Sequence, residues 1–134
     1  MKLLGLYGLT GLVFLALDLV WLGVLAREFY RAQLGQLLRS EIVWPAALVF
    51  YALYIAGILV FAVLPALDAA SWMRALALGA FFGLVAYATF DLTALALLRG
   101  FPTRLVAVDL AWGAALTAGV AVSGYALGRW LGVT

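Results

Sequence analysis

The sequence contains no cysteine and no histidine among its 134 residues. It therefore lacks a disulfide, a thiol nucleophile and an imidazole base, and it lacks the usual ligands of haem, copper and structural zinc. We expect no resident cofactor from this composition. The ions that such a set of side chains could bind are a proton and a hard divalent cation such as Mg²⁺, held by carboxylate oxygens.

Charge is also scarce. Only 10% of the residues are charged and 69% are hydrophobic, with a mean hydropathy of +1.20. This composition predicts an integral membrane protein whose main partner is the lipid bilayer. The pI near 9.2 does not indicate nucleic-acid binding, because the eight basic residues are spread along the ends of the apolar segments, where anionic lipid headgroups are the expected partners.

Long apolar runs make up most of the chain. Each of four runs reaches the length of about 20 residues that a tilted transmembrane helix needs. The runs cover residues 3–26, 44–64, 72–98 and 102–130. We therefore predict an all-α membrane protein, a single domain over residues 1–134 built as a four-helix transmembrane bundle.

The segment 27–42 is the only substantial stretch between the predicted spans. Its apolar residues Tyr30, Leu34, Leu37 and Leu38 follow helical spacing, which predicts a short helix lying in the membrane interface. A basic loop that orients the protein is the alternative interpretation. Both interpretations place this segment at the membrane face where the first and third spans end, which we call face A.

Basic residues favour a cytoplasmic face A. This face carries five arginines and the opposite face carries three basic residues, and the richer side is normally cytoplasmic. Both chain termini would then be extracytoplasmic. The face A arginines are Arg27, Arg31, Arg39, Arg99 and Arg104, and the opposite residues are Lys2, Arg74 and Arg129. We expect Arg27, Arg31, Arg99 and Arg104 to contact anionic headgroups.

Three aspartates lie inside the predicted spans. Asp18 precedes residue 26 by eight positions, Asp91 precedes residue 98 by seven, and Asp109 follows residue 102 by seven. With a helical rise of about 1.5 Å per residue, each lies roughly 10 to 12 Å below face A. A carboxylate in hydrocarbon costs at least ~2.5 kcal/mol, so three at one depth predict a shared proton or cation site. The alternative is structural, with hydrogen bonds or with ion pairs to Arg99 and Arg104.

Aromatic residues accompany the aspartates at the same depth. Tyr87 lies one turn before Asp91, on a stripe that also contains Gly79 and Gly83, so we expect its phenol to be the first partner of Asp91. Tyr51 enters the layer from the second span, and Tyr54 is expected to pack there. Trp21 and Trp112, each one turn from an aspartate, either form walls for an organic cation or simply pack.

The aspartate-bearing segments also carry a resemblance. The segments 14–21 (FLALDLVW), 86–93 (AYATFDLT) and 108–113 (VDLAWG) resemble a bacterial family of four-pass membrane proteins catalogued only as a domain of unknown function. The resemblance implies a bacterial inner-membrane protein and supports the fold, but it transfers no activity. In size the chain is also similar to small multidrug transporters, whose essential glutamate in the first helix has Asp18 as its only analogue here.

Three functional hypotheses follow from these observations. The first is a small transporter or binding protein that couples a proton or cation to a substrate through Asp18, Asp91 and Asp109. Because four helices enclose little volume, it would act as a homodimer or a larger membrane assembly. The second is a membrane enzyme that acts on a lipid, with these acids holding Mg²⁺. The third is an accessory or lipid-organising subunit whose acids contact a partner.

Overall fold

The computed structural model of the chain describes residues 1–38 and 41–133. Arg39, one of the predicted face A arginines, lies outside the described residues. The described part is helical and contains no strand. Its α-helices are α1 (Lys2–Val20), α2 (Arg27–Leu34), α3 (Trp44–Ile58), α4 (Leu64–Asp68), α5 (Trp72–Leu97) and α6 (Thr103–Leu131).

Four helical segments are long and apolar enough to cross a membrane. They are Lys2–Leu25, Trp44–Asp68, Trp72–Leu97 and Thr103–Leu131, which we call spans 1 to 4. The prediction of a four-helix membrane bundle is therefore confirmed. The predicted bounds agree closely except in span 2, where the structure continues past residue 64 to Asp68.

Two π-helical turns continue the first two spans beyond the ends of α1 and α3. The turn Leu59–Val63 joins α3 to α4 just before Pro65. Proline lacks an N–H group and interrupts a regular α-helical ladder, and the wider π turn before it lets the span continue. The turn Trp21–Leu25 completes span 1. Such turns are common at functional positions in helices, and this one begins at a tryptophan beside the aspartate layer.

Glycines let α5 and α6 approach each other closely. A Cβ atom on Gly83 would meet the carbonyl oxygen of Gly113 and the side chain of Thr117, and one on Gly79 would lie 2.7 Å from the Ala121 Cβ. Lipid tails are as apolar as these side chains, so close van der Waals packing of small residues is what holds membrane helices together. The small-residue stripe predicted on span 3 thus contacts span 4.

Helix α2 covers the face A ends of spans 3 and 4. Its residues Tyr30 and Leu34 pack on an apolar cluster formed by Ala94, Phe101, Leu105 and Val106. The short interfacial helix is confirmed, but it ends at Leu34, because Gly35 adopts a positive φ of 50°. The predicted helical spacing therefore does not extend to Leu37 and Leu38: Gly35–Leu37 is a single 3-10 turn, and Leu38 is extended.

Candidate functional site

The carboxyl groups of Asp91 and Asp109 are neighbours across the interface of α5 and α6. Asp91 is only 1% exposed, and its Oδ2 atom receives no hydrogen bond from an N–H or O–H group. The Asp109 carboxyl lies next to it, and both residues line one cleft. Two carboxylates are both acceptors, so a hydrogen bond between them requires a proton on one of them.

Tyr30 ties helix α2 to this pair. Its hydroxyl donates to Oδ1 of Asp109 at 2.5 Å and accepts a hydrogen bond from Nε1 of Trp21 at 3.2 Å. Burial, followed by the hydrogen bond to Asp109, raises the pKa of the Tyr30 phenol above its ordinary value. Tyr30 therefore stays protonated at neutral pH and supplies a neutral donor to the carboxylate.

The contact of Tyr30 with Asp109 was absent from the sequence-based prediction. The residue was assigned to the apolar face of an interfacial helix, which gave it no role in the aspartate layer. The only available signal was a hydroxyl on an otherwise apolar helical face, and a buried phenol seeks an acceptor.

Asp18 occupies a separate position in the same layer. It is 7% exposed and accepts a hydrogen bond of 3.2 Å from the Tyr51 hydroxyl at Oδ2. The indole Nε1 of Trp112 lies nearby but has no hydrogen bond of good geometry. All three aspartates thus face the protein interior or are partly enclosed. The structure places Asp91 and Asp109 side by side. Asp18 is hydrogen-bonded to Tyr51 and lies close enough to Asp109 for their charges to interact.

The two tryptophans do not form a cation pocket between them. Their rings stack on each other with centroids 4.4 Å apart and an interplanar angle of 9°. This spacing leaves no room for an organic cation between the two rings, and neither ring lines the cleft beside Asp91 and Asp109. The packing alternative describes them, and the stacked pair links span 1 to span 4 beside the carboxyl groups.

Tyr87 packs in a way that the sequence did not predict. A Cβ atom on Gly113 would collide with the Tyr87 ring, so the glycine provides the space that the ring fills. The structure shows no hydrogen bond from Tyr87 to Asp91, and the expectation of that partnership is wrong because the ring is directed to α6.

Tyr54 was expected only to pack. It is buried, and its hydroxyl also forms a 2.6 Å hydrogen bond with Oγ1 of Thr117.

A cleft of about 350 Å³ opens beside the carboxyl pair. Its mouth lies between spans 2 and 3 at Phe50 and Phe90, which are 47% and 64% exposed. Side chains exposed at this depth of a span face lipid, so the cleft opens sideways toward hydrocarbon. The lining residues are Phe50, Ala86, Tyr87, Phe90, Asp91 and Asp109.

The predicted headgroup arginines all lie on the surface. Arg27, Arg31, Arg99 and Arg104 are exposed, as headgroup contact requires. Among residues 1–38 and 41–133 the single ion pair joins Arg31 to Glu28 at 3.9 Å. The ion-pair form of the structural alternative, in which Arg99 or Arg104 neutralises an aspartate, is therefore not observed in the described part of the chain. Its hydrogen-bonded form is observed at Asp18, which accepts from Tyr51, and at Asp109, which accepts from Tyr30.

The acidic residues are not grouped as a metal centre. Within the described ranges, no three acidic side chains lie together as ligands for one ion. Asp91 and Asp109 form a pair, and the third aspartate bonds to a tyrosine instead. The three-carboxylate arrangement that the magnesium hypothesis relied on is not formed in this part of the structure.

Four apolar helices with a carboxyl pair inside the spans, of which Asp91 is buried, define an integral membrane protein of the α-helical bundle class. Residues 3–126 match the family described as "Predicted membrane protein (DUF2177)", and the chain belongs to that family. The predicted membership of a four-pass family of unknown function is thus confirmed. Neither a curated protein nor a solved structure matches the chain, so the activity has to be argued from the site.

Proposed function

We propose that this protein is a small membrane transporter or binding protein in which the Asp91 and Asp109 pair exchanges one proton for one cation. Two neighbouring carboxyl groups in a medium of low dielectric constant cannot both carry a negative charge without compensation. Either a shared proton or a bound cation supplies that compensation. Binding a cation at the pair therefore releases the proton to water, and binding a proton releases the cation.

The observation that carries this proposal is the buried Oδ2 atom of Asp91, which no donor group reaches although the Asp109 carboxyl is adjacent. A purely structural aspartate at 1% exposure would be expected to have its acceptor atoms satisfied. Among residues 1–38 and 41–133, the one hydroxyl that donates to the pair is that of Tyr30, which is neutral and is used by Asp109. The two carboxyl groups therefore lack a compensating positive charge, which is the condition for binding a proton or a cation.

The geometry favours exchange over magnesium-dependent lipid chemistry. Mg²⁺ prefers an octahedral set of oxygen ligands and usually requires one or two carboxylates together with substrate phosphates. The carboxyl pair opens to an apolar cleft lined by aromatic rings, whereas the exposed arginines of face A that would grip a phosphate do not line it. A proton or a monovalent cation fits this environment better than a divalent ion with its tightly held water.

We also propose that the chain functions as a homodimer in the bacterial inner membrane, with α2 on the cytoplasmic side. Four helices of this length enclose little volume, so a complete pathway would need a second copy. An outward-facing stripe on α6 would allow another helix to approach closely. The stripe consists of the exposed residues Ala107, Ala111, Ala115 and Gly119.

Proton release from purified protein tests the exchange. Chloride salts of sodium and of tetramethylammonium are added to weakly buffered protein in detergent, and a pH indicator records the protons released per chain. We expect release from wild type with at least one of the salts and loss of release in Asp91→Asn and Asp109→Asn. Asparagine keeps the shape and the hydrogen-bonding ability of the side chain but cannot titrate.

The matched control is Asp68→Asn, which removes a carboxylate at the exposed end of α4. This variant should release protons like wild type. Circular dichroism and size-exclusion chromatography establish that each variant is folded. Release that persists in both Asp91→Asn and Asp109→Asn contradicts the proposal, as does a folded wild type from which no added cation releases a proton.

A further inference from the structure

We infer that the cation of this site is an amphipathic organic cation, which enters sideways from the bilayer between spans 2 and 3. This inference rests on the proposed function, because it identifies the ligand of the same carboxyl pair. It depends on three features of the described residues: an open mouth toward lipid, a closed route toward face A, and a cleft wall made of aromatic rings.

The mouth of the cleft admits molecules from hydrocarbon. Phe50 and Phe90 flank it and are about half or more exposed within their spans, and the cleft is lined by charged groups only at Asp91 and Asp109. A strongly hydrated inorganic ion loses its water before it reaches such a mouth, which is costly in hydrocarbon. A cation with an apolar body partitions into the bilayer and arrives at the same depth with its charge already spread over a weakly hydrated group.

The route from the water at face A is closed to an organic cation by apolar packing. Ala94, Phe101, Leu105 and Val106 are buried together, and residues of α2 pack against them. Beneath this cluster the Tyr30 hydroxyl occupies one oxygen of Asp109. An ion arriving directly from that side would have to displace both the cluster and the hydrogen bond, whereas the lateral mouth is already open.

The cleft walls match the chemistry of a quaternary ammonium group with a ring or short alkyl substituent. The faces of aromatic rings attract cations, and Phe50, Tyr87 and Phe90 all line the cleft. The carboxyl pair at its inner end provides the opposite charge. The volume of about 350 Å³ lies near the lower end of small-molecule sites, which are on the order of 300 to 1,000 Å³, so one ring and a compact ammonium group fill it.

Three probes separate charge from apolar character in protein reconstituted in phosphatidylcholine nanodiscs. Phenyltrimethylammonium carries both features, tert-butylbenzene has the same shape without the charge, and tetramethylammonium has the charge without the ring. We expect phenyltrimethylammonium to release protons with a half-saturating concentration at least about tenfold below that of tetramethylammonium, since burial of a ring contributes about that factor. The neutral isostere should release none.

Variants at the mouth test the location of binding. Phe50→Ala and Phe90→Ala should each weaken phenyltrimethylammonium binding by about two- to fivefold, the factor expected for one cation–π contact. Phe81→Ala is the matched control, because Phe81 is exposed on span 3, as Phe90 is, but does not line the cleft. Unchanged binding in both mouth variants, with loss in Asp91→Asn, would place the ligand elsewhere and overturn the lateral site.

A series of alkyltrimethylammonium ions tests the route. For access from the bilayer, the association rate at a fixed aqueous concentration should rise by up to about fourfold with each added methylene, following its partition into lipid. A rate independent of chain length would overturn lateral access. If sodium or tetramethylammonium matches phenyltrimethylammonium in affinity and in dependence on Asp91, the ligand class is wrong and the proposed exchange stands. If no cation releases a proton, both fail.

Discussion

Replacing Tyr30 by phenylalanine removes one hydroxyl and keeps the ring that packs against Phe29. The variant loses the 2.5 Å hydrogen bond to Asp109, and Nε1 of Trp21 loses its acceptor. A hydrogen bond to a charged group contributes about 1.5 to 3 kcal/mol. Because Tyr30 is half-buried, the lower part of that range applies, so we expect about 2 kcal/mol less free energy holding α2 on the bundle.

Hydrogen exchange of the backbone amides in α2 measures this loss. When amides exchange through local opening, a change of about 2 kcal/mol accelerates exchange roughly 30-fold. The acceleration should be confined to Arg27–Leu34 and should not appear in α5. Tyr7→Phe is the matched control, because it removes the same hydroxyl from a neutral hydrogen bond to the Ala52 carbonyl oxygen. If α2 exchanges no faster in Tyr30→Phe than in Tyr7→Phe, the proposed attachment of α2 to the carboxyl pair is refuted.

Three further predictions concern packing, assembly and topology. Gly83→Ala should lower the free energy of unfolding by about 1 to 3 kcal/mol through overpacking, because the added methyl group meets Thr117 and the Gly113 backbone. Gly8→Ala, with open space around it, should not, and thermal unfolding in detergent compares the two variants. Ala111→Cys should form a disulfide-linked dimer in native membranes, whereas buried Ala118→Cys should not. A reporter inserted in the segment 27–42 should be cytoplasmic and one fused after Thr134, outside the described residues, should be extracytoplasmic.

Each of these predictions has a clear contrary result. Equal unfolding temperatures for the two alanine variants would mean that α5 and α6 do not pack through Gly83. Equal cross-linking of the two cysteine variants would remove the stripe on α6 as the dimer contact. The reverse reporter pattern would invert the topology and leave the carboxyl pair intact.

Hydropathy and residue counting predicted the spans and the depth of the aspartates. Span length is set by bilayer thickness, and depth follows from the helical rise, so both are encoded locally. The rotation of each helix about its own axis is not encoded locally. It depends on which faces pack, and that is why Asp91 meets Asp109 while Asp18 turns toward Tyr51.

The contacts that were missed join residues of different helical segments. Tyr30 and Asp109 are 79 positions apart, and the stacked Trp21 and Trp112 belong to different spans. No periodicity within one helix signals such a pair. The glycine stripe on span 3 indicated a close helix neighbour, but it did not reveal that the room at Gly113 is filled by the Tyr87 ring.

The protonation state of the carboxyl pair is the central claim, and infrared difference spectroscopy measures it directly. At neutral pH the cation-free protein should show the carbonyl stretching band of a protonated carboxylic acid, and phenyltrimethylammonium or another bound cation should remove it. Asp91→Asn and Asp109→Asn should each lack the band, because the proton is shared between the two groups, whereas Asp68→Asn should retain it. A cation-free wild type without this band, or a band that persists in both asparagine variants, would contradict the account.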